Sequence, residues 1–92
     1  MISRDFVIAN KLGLHARPSA QLTQVASRFA SEVFIAKNGR RVNAKSIMGV
    51  MMLAAGPGST VTVDAEGADA QQAVDAIGML INSGFGEAHV QD

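Results

Sequence analysis

The sequence predicts an α+β domain in which three helices cover one face of a four-stranded antiparallel sheet. Three observations carry this reading. Residues 60–65 alternate cleanly, with Val61, Val63 and Ala65 on one side and Thr60, Thr62 and Asp64 on the other, the pattern of a strand with one packed and one wet face. Two other stretches repeat apolar residues at helical spacing: Leu22, Val25, Ala26 and Phe29, then Ala70, Ala73, Val74, Ile77, Leu80 and Ile81. Between two short strand-like runs sits Asn38-Gly39, a pair favoured in type I′ hairpin turns because both residues tolerate positive φ. A sheet wet on one side needs its cover on the other.

Taken in order, residues 2–8 form a half-buried strand, with Ile2, Phe6 and Ile8 inward and Ser3 and Asp5 outward; Arg4 interrupts the apolar side. Asn10-Lys11-Leu12-Gly13 is a loop. The first helix begins near Pro18, keeps Gln21, Gln24 and Arg28 off its apolar stripe, and ends at 28–30. Val33, Phe34 and Ile35 mark a strand over 32–37, and 40–43 returns after the turn with Arg40 and Arg41 read as solvated edge charges. Ser46 is placed to cap a short second helix, Ile47-Met-Gly-Val-Met-Met-Leu53. That helix is apolar almost all round, so one side must face water. Its methionines then offer a soft surface for partners; the competing reading makes all three core fillers.

Gly56-Pro57-Gly58 is a turn; with Ser59-Thr60 it lacks the GK[ST] ending of a phosphate loop. Asp69 and Gln72 make a variant capping box at the start of the last helix, and Gly84 stops it. Gly78 inside that helix costs about 1 kcal/mol relative to Ala and points to close packing against a neighbour.

With 92 residues, 48% hydrophobic, the chain is long enough for one small core, and 1–92 reads as a single domain with a short tail from 87 or 88. Eight basic and eight acidic residues cancel, so no general attraction to nucleic acid or anionic membrane is expected. Four Phe with no Trp or Tyr leave little for base stacking. Cysteine is absent, which excludes disulfides and thiol chemistry. No stretch has signal-peptide or membrane-span length, so the protein is expected in the cytoplasm. His89, in the tail, has no second His, Cys or carboxylate pair at metal-binding spacing and reads as a surface residue.

Chemistry concentrates in Gly13-Leu14-His15-Ala16-Arg17-Pro18, where strand gives way to helix. The first N–H groups of a helix lack intrahelical partners and carry the positive end of its dipole, so an anion is held there without a dedicated pocket. Pro18 suits a first turn, where its missing N–H costs nothing. Arg17 offers a planar fork of donors for phosphate oxygens. The dipole also disfavours an imidazolium, which keeps His15 nucleophilic near neutral pH. The expectation is a histidine that accepts a phosphoryl group.

That motif, followed by Lys45-Ser-Ile-Met-Gly-Val-Met-Met-Leu53, closely resembles the histidine-containing phosphocarriers, the HPr family of the phosphoenolpyruvate-dependent phosphotransferase system. The similarity runs from about Phe6 to Glu87. It implies an open-faced β-sandwich of order βαββαβα, and a His15 that takes phosphate from phosphorylated enzyme I on the ring nitrogen nearer the backbone and passes it to an enzyme IIA domain of a sugar transporter. Arg17 would stabilise the phosphate. Ser46 would be the regulatory serine modified by HPr kinase/phosphorylase. No metal or cofactor is implied, and the chain would be a monomeric carrier without turnover of its own.

Leu14, Ile47, Met48, Met51 and Met52 are expected to form an exposed docking patch around both sites. Three other readings compete. One is a carrier of the nitrogen-related regulatory branch; another is a co-regulator that only binds partners; the third is an enzyme using His15 as general base, which lacks a nearby carboxylate to orient the ring.

Overall fold

The computed structural model describes residues 1–86. The predicted order is observed: β1 (Ile2–Val7), α1 (Ala16–Ser27), β2 (Glu32–Lys37), β3 (Arg40–Asn43), α2 (Ile47–Met52), β4 (Thr60–Glu66) and α3 (Ala70–Asn82), closed by a 3₁₀ turn, Gly84–Gly86. The predicted tail and His89 lie outside the described residues. The sheet runs β1-β4-β2-β3 with every pairing antiparallel, so β4 is central and β1 and β3 are edges. Asn38 and Gly39 both take positive φ, 52° and 82°, as the hairpin turn requires.

The core forms where the inward residues of the strands meet the helix stripes. Val33, Ile35, Val61 and Val63 from the sheet, Leu22 from α1 and Val74, Ile77 and Ile81 from α3 are all buried. Phe85 is buried too, with φ of 56°, just beyond the Gly84 stop. Gly78 is explained by Phe6: a Cβ on it would lie 2.6 Å from two ring carbons.

Several residues depart from the sequence reading, each because a cross-strand or cross-loop partner cannot be seen in a linear pattern. Arg4 is not a mere interruption; it lies 5.3 Å from the Phe6 ring centre and pairs with Asp75 of α3 at 3.0 Å. Asp64 points to the uncovered face yet is only 6% exposed. Arg41, read as a solvated charge, covers it with two hydrogen bonds of 3.2 and 2.7 Å while stacking 3.7 Å from the Phe34 ring centre. Register accounts for this, since Phe34 pairs with Asp64 and Arg41 lies diagonally from Phe34 on the edge strand.

Asp69 sits at the N-cap of α3 but makes no capping bond there. Its carboxylate reaches back to the α1–β2 turn, accepting hydrogen bonds from the N–H groups of Ala30 and Ser31, both at 2.9 Å, and from the Ser31 hydroxyl. The hydroxyl bond, then the Ala30 N–H, hold the Asp69 carboxyl below its ordinary value.

Two outcomes are expected. Gly78→Ala gains about 1 kcal/mol of helix propensity but loses about 1–3 kcal/mol to the Phe6 clash, so urea titration should show net destabilisation. The sign should reverse in a Phe6→Leu background. For Asp69, a lowered folded-state value means the unfolded chain binds more protons at acid pH, so its contribution is full above about pH 4 and is lost as pH falls through the lowered value. Asp69→Asn should therefore lower the urea midpoint at pH 7, with the gap to the parent chain closing on acidification.

Candidate functional site

The segment between β1 and α1 is stitched to the loop that follows α2. Ile8 N–H donates to Ser59 C=O and Gly58 N–H to Ile8 C=O, both at 2.8 Å. Leu14 N–H donates to Ala55 C=O at 2.9 Å. Gly13 makes this approach possible. Its φ is +69°, and a Cβ on it would sit 2.4 Å from Ala55 O, so a side chain is excluded by both backbone and space. On the other side of the contact Ala54 also has positive φ, 51°, where α2 ends. That turn brings Ala55 C=O to Leu14.

His15 is the N-cap of α1, with extended φ/ψ of −80° and −168°. The helix starts at Ala16, two residues before the predicted Pro18, so the proline occupies its third position. A first turn tolerates proline throughout, because none of its N–H groups has a helical partner. The first helical bond runs from Ser19 N–H to His15 C=O at 3.0 Å. Ahead of it lie the amides of Ala16 and Arg17, both exposed residues, with His15 half-buried beside them.

What the N-cap lacks is informative. This position normally holds a Ser, Thr, Asp or Asn whose oxygen accepts an early N–H. Here the His15 side chain makes no cap bond and the first turn contains no acidic residue. Within the first turn, then, neither a capping bond nor an acid offsets the positive end of the helix, and the turn carries Arg17. Such a place suits an anion.

Ser46 caps α2 as predicted, its Oγ accepting from Gly49 N–H at 3.1 Å. The two helices pack together. Lys45 Nζ donates to Phe29 C=O at 2.8 Å, at the finishing end of α1, while the finishing end of α2 approaches Leu14. The helices therefore run in opposite senses, with Ser46 and His15 at opposite ends of the pair.

The apolar surface lies between them. Met48 is 70% and Met51 39% exposed, and Ile47 and Met52 are exposed too, which excludes the reading of three core methionines. Leu14 is a correction. It is 4% exposed and belongs to the core, because its backbone bond to Ala55 turns the side chain inward as the plug of the loop. Leu12, 68% exposed, is the apolar residue of this loop that faces water; no periodicity marks it in so short a loop. Also missed was Asn10, fully buried, with its Nδ2–H donating to Gly13 C=O at 2.8 Å. Among the described residues no group of three His, Cys, Asp or Glu could hold a metal, and no helix is long and apolar enough to cross a membrane.

Comparison with known proteins agrees with the geometry. The model of the PTS-HPr family, described as the PTS HPr component phosphorylation site, matches residues 2–83. The phosphocarrier protein HPr of Cupriavidus necator is 62% identical over 87 residues, covering 95% of this chain and 98% of that one. HPr-C-His from Thermoanaerobacter tengcongensis superposes with a TM-score of 0.92 at 47% identity, over 95% of this chain and 98% of that one. An HPr dimer from the same organism matches with a TM-score of 0.76 at 47% identity, over 95% and 100% of the two chains. An uncapped helix start bearing His15, an open-faced sheet under three helices and a match along nearly the whole length agree on one assignment: the chain belongs to the HPr family of phosphocarriers of the phosphotransferase system.

Proposed function

We propose that His15 is the residue that carries the phosphoryl group, taken from phosphorylated enzyme I and delivered to an enzyme IIA domain of a sugar transporter, in the cytoplasm and as a monomer. The observation that carries this reading is His15 placed as the N-cap of α1, making no capping bond itself, in a first turn that has Arg17 and no acid. A ring nitrogen of His15 attacks phosphorus with its lone pair; the new N–P bond forms as the donor's bond to phosphorus breaks and the donor group leaves with its electron pair. The phosphoryl oxygens then take up the N–H groups of Ala16 and Arg17 and the Arg17 guanidinium. Delivery is the same step reversed onto the next histidine. Ile47, Met48, Met51 and Met52, with Leu12, supply the apolar surface that partners grip.

Ser46 is read as the regulatory serine for HPr kinase/phosphorylase. A phosphate there remains compatible with the start of α2, yet it sets roughly −1.5 to −2 charges at the margin of the methionine patch. Its effect falls on docking, since Ser46 and His15 lie at opposite ends of the α1–α2 pair.

Incubation with enzyme I and phosphoenolpyruvate, followed by intact mass, is expected to add one phosphoryl group to the wild type and none to His15→Ala. Arg17→Ala should slow uptake on the order of 100-fold, the usual cost of removing one donor to a transferring group. Equal labelling of His15→Ala would remove the histidine from the mechanism. Ser46→Asp should raise the KM of enzyme I for this chain about tenfold through lost docking; steady-state rates indistinguishable from wild type would count against the regulatory reading.

A further inference from the structure

We infer that Asn10 and Ser19 are positioning residues for phosphoryl transfer, which keep the peptide carbonyls beside His15 turned away from the phosphate; this rests on His15 being the acceptor. Both are buried polar residues, at 0% exposure, in the one segment where the backbone has to be held. Burying a carboxamide or a hydroxyl is costly unless it is hydrogen-bonded. Ser is also a poorer helix former than Ala, so helix propensity does not account for Ser19 within α1.

Each residue is bonded to a carbonyl of the motif. Asn10 Nδ2–H donates to Gly13 C=O at 2.8 Å, and Ser19 Oγ–H donates to Leu14 C=O at 3.1 Å. Gly13 C=O also accepts His15 N–H at 2.9 Å, closing a three-residue turn about Leu14. Turns of that size leave their hydrogen bond bent, which makes it a weak lock by itself. His15 C=O is taken by Ser19 N–H, and the carbonyls of Ala16 and Arg17 enter the helical ladder. Every backbone carbonyl from Gly13 to Arg17 is therefore engaged within the protein. Around the His15 ring the segment presents donors, the Ala16 and Arg17 amides and the Arg17 side chain.

The chemistry depends on that polarity. A phosphoryl group in flight spreads negative charge over three oxygens, and donors fixed in place stabilise it without reorganisation. A carbonyl oxygen swinging toward it would do the opposite. Without Ser19, the peptide between Leu14 and His15 is restrained by one bent bond and can rotate its carbonyl outward; without Asn10, the Gly13 carbonyl loses one of its two bonds and its peptide leans on the Leu14 N–H bond to Ala55. The cost falls on the transfer step, and docking is untouched because the exposed patch is unchanged.

The test measures kcat and KM of enzyme I with Asn10→Ala, Ser19→Ala and Val74→Ala as phosphoryl acceptors, alongside urea midpoints. Val74 is buried on α3, and its truncation destabilises the fold by at least as much without touching the loop. Each loop variant is expected to lower kcat about tenfold with KM within twofold, while Val74→Ala leaves both unchanged. Ser19→Ala keeps the proposal testable even if Asn10→Ala fails to fold, since alanine only favours the helix. Unchanged kcat in Ser19→Ala, or a loss confined to KM, overturns the inference while leaving His15 as acceptor. No phosphate on the wild type overturns the acceptor reading itself.

Discussion

The contact between Leu14 N–H and Ala55 C=O does more than join two loops, because it sets where α1 begins. With that amide tied to the β4 side of the molecule, the chain must turn at Gly13 and enter helical geometry at Ala16, which leaves His15 as the N-cap. The contact is possible only because a glycine faces Ala55 and because Ala54 accepts a positive φ, a conformation that costs an alanine about 1–2 kcal/mol per residue. The surrounding bonds outweigh that strain. Leu14 buried beneath the loop and the pairing of Ile8 with Ser59 and Gly58 make the position of the helix start a property of the whole fold.

The sheet gives this arrangement its stiffness. β4 is paired on both sides, and the chain leaving β1 is held at Ile8 by Ser59 and Gly58 and again at Leu14 by Ala55, so the segment has little freedom to drift. On the open face the Asp64, Arg41 and Phe34 group pins the edge strand β3, from which the chain runs directly through Lys45 to Ser46. Lys45 in turn donates to the Phe29 carbonyl, just past the end of α1, where a cation also complements the helix dipole. Both ends of the α1–α2 pair are thereby referenced to the same sheet.

How much of this could be read beforehand follows from the range of each interaction. Periodicities of two and 3.6 residues report on neighbours in the chain, so the elements, the Asn38-Gly39 turn, the Ser46 cap and the demand for a close neighbour at Gly78 were legible. The helix start at the His15-Ala16-Arg17-Pro18 motif was legible for the same reason, to within two residues. Arg41 on Asp64, Asp69 on Ser31 and Asn10 on Gly13 were not. The first two depend on sheet register and on a turn 38 residues away in the chain. Asn10 pairs locally, but its burial is a property of the folded chain, and in sequence it looks like any loop asparagine. Leu14 misled for a related reason: an apolar residue beside a reactive one suggests a contact surface, whereas the backbone bond to Ala55 sends it into the core.

A carrier faces a constraint that a catalyst does not, since the group it binds must leave as easily as it came. Satisfying a helix start is worth about 0.5–2 kcal/mol, and complementing its dipole about 0.3–1 kcal/mol at an exposed site. In the proposed role, a phosphoryl group on His15 supplies what the missing cap would have supplied. The gain is therefore a kcal/mol or two, a bias of roughly one decade in the exchange equilibrium at 1.4 kcal/mol per decade. A serine or aspartate cap would cancel that gain before phosphate arrived, and a deep pocket with several cations would multiply it and trap the product. In the proposed role, a histidine at the N-cap of its own helix with one exposed arginine beside it falls between those limits, and energies of that size would let transfer run in both directions.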